Sequence, residues 1–551
     1  METIIVTLQN GKKLEYKKGI KLYEVLENLK NDLPFDILIA KYRNEFINYN
    51  DSLTKNGTLE LFDINTSLGN RTYERALTIV FKTAVYEVLG ADTKVIVRHS
   101  LDKGIYIDID KKITKDKLEL IKVVMKDKIA KQIPFTKIET TIQEATEYFK
   151  NIKRKDLVKT LFYNKSNYIT LYKFENTYHY VLGLLPNDSG VLKYFDLTLL
   201  EGKGIVLRYP SIYNNGKIVK YTHHDNLFNS LEEYAEWGKI LNINNLGDLN
   251  DSIVNTKPGE LINLSESIQD YKLLKIAETI KQKSKDIKIV LMSGPSSSGK
   301  TTTARKLSLY LKTLGLNPIA LSLDDYFLDR EDTPLDENGN YDFESLRAID
   351  TKLFNNQISK MLKGSKVITP TFDFVKGKKT FKNAIKLEEK DILIIEGLHC
   401  LNDALLESIP RKNKYKIYIS PLPFLNIDND NRISMTDLRL LRRMVRDNRV
   451  RGYSPSQTLK SWADVRKGEE KYIFPFQDEA DTIFNSTLAY ELAVLKTYAE
   501  PLLFTVQEDD PEYDTALRLL QLLKFVLPMP SQDVPSVSIL REFIGGSYFE
   551  R

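Results

Sequence analysis

Residues 294–302 read Gly294-Pro-Ser-Ser-Ser-Gly299-Lys300-Thr301-Thr302, directly after the apolar run Ile287-Lys-Ile-Val-Leu-Met-Ser293. The periodic segment Ala304-Arg-Lys-Leu-Ser-Leu-Tyr-Leu311 follows, so the order is strand, glycine-rich loop, helix. In such a loop successive backbone N–H groups wrap a polyphosphate, and the helix N-terminus adds a favourable dipole. Gly294, Ser296, Ser297, Ser298, Gly299 and Thr302 would line the cradle. Lys300 would reach the β- and γ-phosphates, and the Thr301 hydroxyl would hold Mg²⁺. A chance glycine-rich turn has no need of a strand before it and a helix after it. The stretch therefore predicts a nucleoside triphosphate site.

From Ile287 onward strands and helices alternate, with further strands expected at Pro318–Leu323, Asp391–Ile395 and Lys414–Ser420. Alternation of this kind predicts a doubly wound parallel sheet with helices on both faces. Ligands of such sheets sit beyond the carboxyl ends of the strands. Two strands end there in acids, Leu323-Asp324-Asp325-Tyr326 and Ile395-Glu396-Gly397. Phosphoryl transfer needs one carboxylate to orient or deprotonate the attacking hydroxyl and another to hold Mg²⁺. Asp324 suits the first role and Glu396 the second. The competing reading is that one of Asp324 and Asp325 only caps the next helix.

Met435–Val450 is a helix whose basic residues are all arginine, with Gly452 as its stop. Arg439, Arg443 and Arg446 share one stripe, and Arg442, Arg446 and Arg449 an overlapping one. Few acids lie nearby in sequence. Arginine is favoured where forked contacts to phosphate matter, so the helix is expected to be a lid over the transferring phosphate rather than a solvated face.

The whole chain has 551 residues, 42% hydrophobic and 28% charged, with a formal net charge of +5. That is an ordinary globular mixture, long enough for several domains, and its charge permits RNA contact without arguing for it. One cysteine, Cys400, excludes an internal disulfide and any cysteine-rich zinc site. It fits a reducing compartment, and a cytoplasmic location is expected. No signal peptide is read at Met1-Glu-Thr-Ile-Ile-Val-Thr, and no run approaches the roughly 18 apolar residues of a membrane span. Residues 1–63 alternate as strands around a short helix near Leu22–Leu29. Arg71–Leu89 is helical and closed by Gly90. Val95–Arg98 and Ile105–Ile109 pair as strands. Lys115–Lys131, Ile138–Tyr148 and Asp156–Phe162 read as helices, and strand-like runs occupy 168–209. Residues 226–284 read as helical, with a polar break at Asn255-Thr-Lys-Pro-Gly259.

Six motifs of the C-terminal half resemble the uridine kinase family of nucleoside kinases, itself related to phosphoribulokinase. They are the Gly294–Thr302 loop, Ser322-Leu-Asp-Asp-Tyr-Phe327, Tyr341-Asp-Phe343, Pro370-Thr-Phe-Asp-Phe374, Ile395-Glu-Gly397 and Asp437–Asp447. The resemblance covers roughly 286–490. It implies an ATP-dependent kinase with Mg²⁺, transferring the γ-phosphoryl group to the 5′-hydroxyl of a nucleoside, uridine or cytidine. By the same resemblance Asp324 is the base, Asp342 holds the ribose hydroxyls, Arg443 contacts the nucleoside, and Arg446 and Arg451 are lid residues on the phosphates. Where those kinases read the pyrimidine with Tyr and then His, this chain has Phe372 and Gly377. Where a further lid Arg is usual it has Tyr453.

The N-terminal half resembles the front of threonyl-tRNA synthetase. The implied organisation is a TGS-like β-grasp domain over 1–64, an α+β editing-like domain over 65–225, a helical connector over 226–284, and the kinase domain with its tail over 285–551. In the editing-like domain the expected Cys falls at Val181 and the second His at Leu185. The first His pair has no counterpart around Arg71–Ile79, so hydrolysis is not expected. RNA or tRNA contact, binding of a regulatory ligand and homo-oligomer assembly remain as roles. Two alternatives stay open: a phosphoribulokinase-like sugar-phosphate kinase using Lys376, Lys378 and Lys379, and an RNA-binding regulator with an ATP-dependent switch. The tail Ser538–Ser547 also resembles such fused kinases, and simple docking is its plainest role.

Overall fold

The computed structural model describes every residue except Met1, 201–203, 256–257, 336–338, 340, 374–375 and Arg551, and leaves out the side chains of 382–383. Thr256 and Lys257 of the polar break and Phe374 of the fourth motif lie outside the described residues. The chain divides into two units. One comprises Met1–His223 with Asn426–Arg432, the other His224–Leu425 with Ile433–Arg551. Among the described residues no helix is long and apolar enough to cross a membrane.

The first unit begins with a five-stranded mixed sheet, ordered Lys13–Lys17, Thr3–Leu8, Gly57–Phe62, Ile39–Tyr42, Glu45–Ile47. Its outer pairs are antiparallel, and Thr3–Leu8 runs parallel to Gly57–Phe62. Helix Leu22–Leu29 covers it by burying Leu22, Val25 and Leu29, one stripe at helical spacing. Helix Ser67–Leu89 then starts at Thr66, whose hydroxyl accepts from Gly69 N, and stops at Gly90, where φ is +101°. Its apolar side packs into the core of a four-stranded antiparallel sheet ordered Asp196–Leu200, Gly204–Arg208, Gly104–Ile109, Val95–Leu101.

One expected helix starts late. Thr136–Thr141 is a strand paired with Tyr168–Phe174, and the helix begins only at Ile142. The run Thr-Lys-Ile-Glu-Thr-Thr favours strand through its β-branched residues. Thr141 then supplies a capping box with Glu144, which marks the true start.

Asn426–Arg432 lies far along the sequence, within the stretch read as kinase, yet it is part of the first unit. Asn426 Nδ2 donates to Val97 O at 2.6 Å, and Val97 N donates to Asn429 O at 2.8 Å. Asn431 Nδ2 donates to Tyr180 O at 3.0 Å, and Arg432 pairs with Glu74 at 2.9 Å. Asp430 is held by Arg154 at 2.8 Å and by the buried Lys82. These partners are separated by hundreds of residues, so no sequence window contains them.

In the second unit, the residues read as a connector form helices Asp225–Ile240, Leu246–Asn255 and Pro258–Gln282, grouped with the C-terminal fold. The central sheet is parallel and five-stranded, ordered Asn317–Ser322, Asp391–Glu396, Ile289–Ser293, Lys414–Ser420, Thr482–Asn485. Counting along the chain that is 2-3-1-4-5. The order reverses beside Ile289–Ser293, which puts the glycine-rich loop at the switch point.

Candidate functional site

All five residues of Ile289–Ser293 are buried, and the chain turns out of the sheet at Gly294. A Cβ there would stand 2.0 Å from Ile419 O, so the close backbone approach requires glycine. Gly299 has φ +85° and Ser297 φ +59°, the left-handed kinks that turn the loop's amides inward. Helix Lys300–Thr313 follows at once. Lys300 Nζ folds back onto Gly294 O at 2.8 Å and Pro295 O at 3.2 Å. Ser297 and Ser298 hydroxyls are buried, with no hydrogen-bond partner among the described residues.

Register places Ser322, Glu396 and Met292 side by side at the ends of adjacent strands. Thr301 Oγ1 donates to Glu396 Oε1 at 3.1 Å. The two acids after Ser322 divide their work. Asp325 Oδ1 accepts from Phe372 N at 3.1 Å and so fixes a loop. Asp324 makes no side-chain hydrogen bond or ion pair among the described residues and stays open to solvent. Packed protein around it raises its carboxyl pKa, Lys300 opposes that, and Asp325 adds to it. Burial likewise raises Glu396, with Lys300 opposing and Asp324 reinforcing.

Asp342 accepts from Tyr472 OH at 2.8 Å. The acid that shares a field with Lys300, Asp324 and Arg443 is Glu344, two residues on, whose pKa is raised by burial and by Glu469. Sequence reasoning passed over Glu344; the period-2 alternation of Tyr341-Asp-Phe-Glu344 was the available signal. Phe372 is buried against Phe327, with ring centroids 5.8 Å apart, whereas Phe343 and Tyr341 are exposed and 5.8 Å from each other. Gly377 has φ +67°, and a Cβ there would meet Arg330 Cβ at 2.9 Å, so that turn excludes a larger reader. Lys379 pairs with Asp350 at 3.0 Å.

The arginine helix Met435–Arg451 ends at Gly452, φ +67°, but two of its arginines do not face an open cleft. Arg439 and Arg442 are fully buried. Arg439 pairs with Glu469 and donates to Ser296 O at 2.9 Å; Glu469 also accepts from Ser296 N at 2.9 Å. Arg442 pairs with Glu491 and donates to Ser486 O at 2.9 Å. These two brace the loop from behind, which corrects the stripe-wide lid assignment. Arg443, Arg446 and Arg451 gather on the buried Asp447 at 3.2, 2.9 and 3.3 Å. Arg443 also donates to Ser296 Oγ at 2.7 Å. One carboxylate among three guanidinium groups leaves a cationic surplus beside the loop.

Residues 289–493 match the phosphoribulokinase / uridine kinase family. The C-terminal region is a domain of that family. A uridine kinase of Ligilactobacillus salivarius is 27% identical over 213 residues, 38% of this chain and 91% of that one. One of Staphylococcus haemolyticus is 29% identical over 197 residues, 35% and 86% respectively. A solved structure described as a possible uridine kinase from Bacillus stearothermophilus covers 36% of this chain and 89% of its own, at 19% identity and a TM-score of 0.25, too low to add to the case. The protein is thus a nucleotide-binding kinase, a phosphotransferase.

Proposed function

We propose that the kinase domain is an ATP-dependent nucleoside kinase that phosphorylates the 5′-hydroxyl of a nucleoside, uridine or cytidine. The observation that carries this reading is Asp324: a carboxylate with no side-chain partner among the described residues, in the field of Lys300, beside the Thr301–Glu396 pair. A hydroxyl entering between Asp324 and the loop meets a base on one side and the terminal phosphate on the other. The loop amides and Lys300 hold and neutralise the triphosphate. Asp342 and Glu344 would accept from the sugar hydroxyls; Asp342 already accepts from Tyr472 OH, and Glu344 shares the field of Lys300 and Asp324. Phe343 and Tyr341 offer exposed rings for a base, and the buried Phe372 supports them through Phe327.

Mg²⁺ fits the oxygen donors Thr301 and Glu396. Among the described residues no cluster of three or more ligating side chains exists, which suits an ion completed by phosphate oxygens and water. When bound, it supplies charge neutralisation at the phosphates. Arg443, Arg446 and Arg451 would turn from Asp447 to the phosphates. Of the three lysines that the sugar-phosphate alternative would use, Lys379 is already paired with Asp350.

For the N-terminal unit we keep the TGS-like and editing-like reading, without hydrolysis, as an RNA-contacting or assembly module. Val181 and Leu185 pack on the apolar core, and burial pushes both His99 and His179 down to about 3, leaving them neutral. ADP release measured against nucleosides and sugar phosphates, with and without tRNA, tests both parts. Turnover of sugar phosphates alone sinks the nucleoside assignment.

A further inference from the structure

The tail of the kinase unit reaches the mouth of the phosphate cradle. Glu542 Oε2 accepts from Thr302 Oγ1 at 2.7 Å and from Thr302 N at 3.4 Å. Thr302 lies in the first turn of helix Lys300–Thr313, where N–H groups lack intrahelical acceptors and favour anions. Ile539 presses on the loop at its last glycine: a Cβ on Gly299 would stand 2.6 Å from Ile539 Cγ2. Arg449 ties the tail down, donating to Glu542 O at 3.0 Å and Phe543 O at 3.2 Å. Phe543 lies under the Arg442 guanidinium, 5.0 Å from it.

Two carboxylates therefore occupy amides of the loop and its helix, and they differ. Glu469 on Ser296 N is 2% exposed and paired with Arg439 and Arg466, so it is a fixed part of the wall. Glu542 is only half-buried, and among the described residues no cation pairs with it. Its charge also bears on Glu396, across the loop. A phosphate oxygen arriving at Thr302 meets this carboxylate in its place and is repelled by it. Both cannot use the same donors.

We propose that Glu542 is an in-chain competitor for the nucleotide's phosphates, and that withdrawal of the 538–547 tail sets nucleotide affinity. This rests on the nucleotide-cradle reading of Gly294–Thr302. When only the tail-off fraction binds, apparent affinity falls by that fraction, and loosening the tail restores it. The test uses full-length protein and ADP, titrated by calorimetry with and without Mg²⁺. Glu542→Ala is expected to bind ADP about tenfold more tightly, and Glu542→Gln to lie between it and the wild type. Arg449→Ala loosens the tail without touching Thr302 and should shift affinity in the same direction. Amide exchange over 538–549 should quicken in the wild type when ADP binds. Equal or weaker binding by both Glu542→Ala and Arg449→Ala, with unchanged tail exchange, overturns the proposal while leaving the cradle intact. Failure of the wild type and every variant to bind ADP removes the cradle reading and this proposal together. If Glu542→Ala does not fold, Glu542→Gln and Arg449→Ala decide by the same criteria.

Discussion

Replacing Arg442 by Met removes one partner of a fully buried ion pair. Arg442 is 0% exposed and Glu491 is 1% exposed. The guanidinium makes bonds to Glu491, to Ser486 Oγ at 3.1 Å and to Ser486 O at 2.9 Å. Stranding a buried charge this way costs about 3–5 kcal/mol. The two tryptophans of the chain, Trp237 and Trp462, both lie in the second unit, so intrinsic fluorescence follows that unit selectively. With a urea slope of about 2–3 kcal/mol/M, the midpoint should fall by roughly 1.5 M. The pH dependence carries a definite sign. Burial already holds Glu491 above its ordinary value, with Arg442 pulling it down. Without Arg442 its folded pKa rises further above the unfolded one, so ionised Glu491 penalises the fold at high pH and protonation relieves it as pH falls. The loss should therefore shrink between pH 8 and pH 5.5, by up to about 1.4 kcal/mol per pH unit inside the titration window. Adding Glu491→Leu to Arg442→Met should recover most of the loss, because an apolar pair replaces the ionic one. A single-variant shift below about 0.3 M, or one independent of pH, would refute the reasoning.

Asp324→Asn should lower kcat by at least about hundredfold while leaving the ADP dissociation constant within a few-fold. Because Asp324 is raised and must be ionised to accept a proton, kcat/KM in the wild type should fall with acidification at a pH above the ordinary carboxylate range. A profile flat down to pH 4 removes it as the base. Glu344→Gln should raise the nucleoside KM about tenfold, with ATP KM unchanged, if that carboxylate binds the sugar; equal effects on both substrates contradict this. In the N-terminal unit, Asp430→Ala leaves Lys82, 2% exposed, without its partner. It should cost about 3 kcal/mol, read as faster amide exchange over residues 71–89. Unchanged exchange there means the pair contributes nothing.

The glycine-rich loop, the parallel sheet and the acids at strand ends were legible because their signals are local. A strand, a tight loop and a helix occupy one continuous window, and strand ends follow from periodicity. Arg439 and Arg442 were misread for the opposite reason. Their charges looked unbalanced because Glu469 and Glu491 arrive 30 and 49 residues from their partners. Glu542 is 240 residues from Thr302, and nothing in the composition of the tail announces a carboxylate aimed at a phosphate donor. Asp342 was named on a motif, and Glu344 was not considered. The hydrogen bond from Tyr472, 130 residues away, distinguishes them. Ile138–Thr141 was assigned to a helix because the threonine cap was read as part of the run it begins.

The chain threads back on itself at Asn426–Arg432, and this has a practical bearing on dissection. A cut near residue 224 separates most of the two units but leaves this strip on the wrong fragment. A C-terminal fragment would carry Asp430 stripped of Lys82 and Arg154, and Asn431 stripped of Tyr180 O, just ahead of the helix bearing Arg443. An N-terminal fragment would expose the Val97, Tyr180 and Leu182 main-chain groups that the strip covers. The boundary between the units therefore crosses the sequence more than once. A workable split has to graft the strip onto the N-terminal piece and close the gap between Leu425 and Ile433.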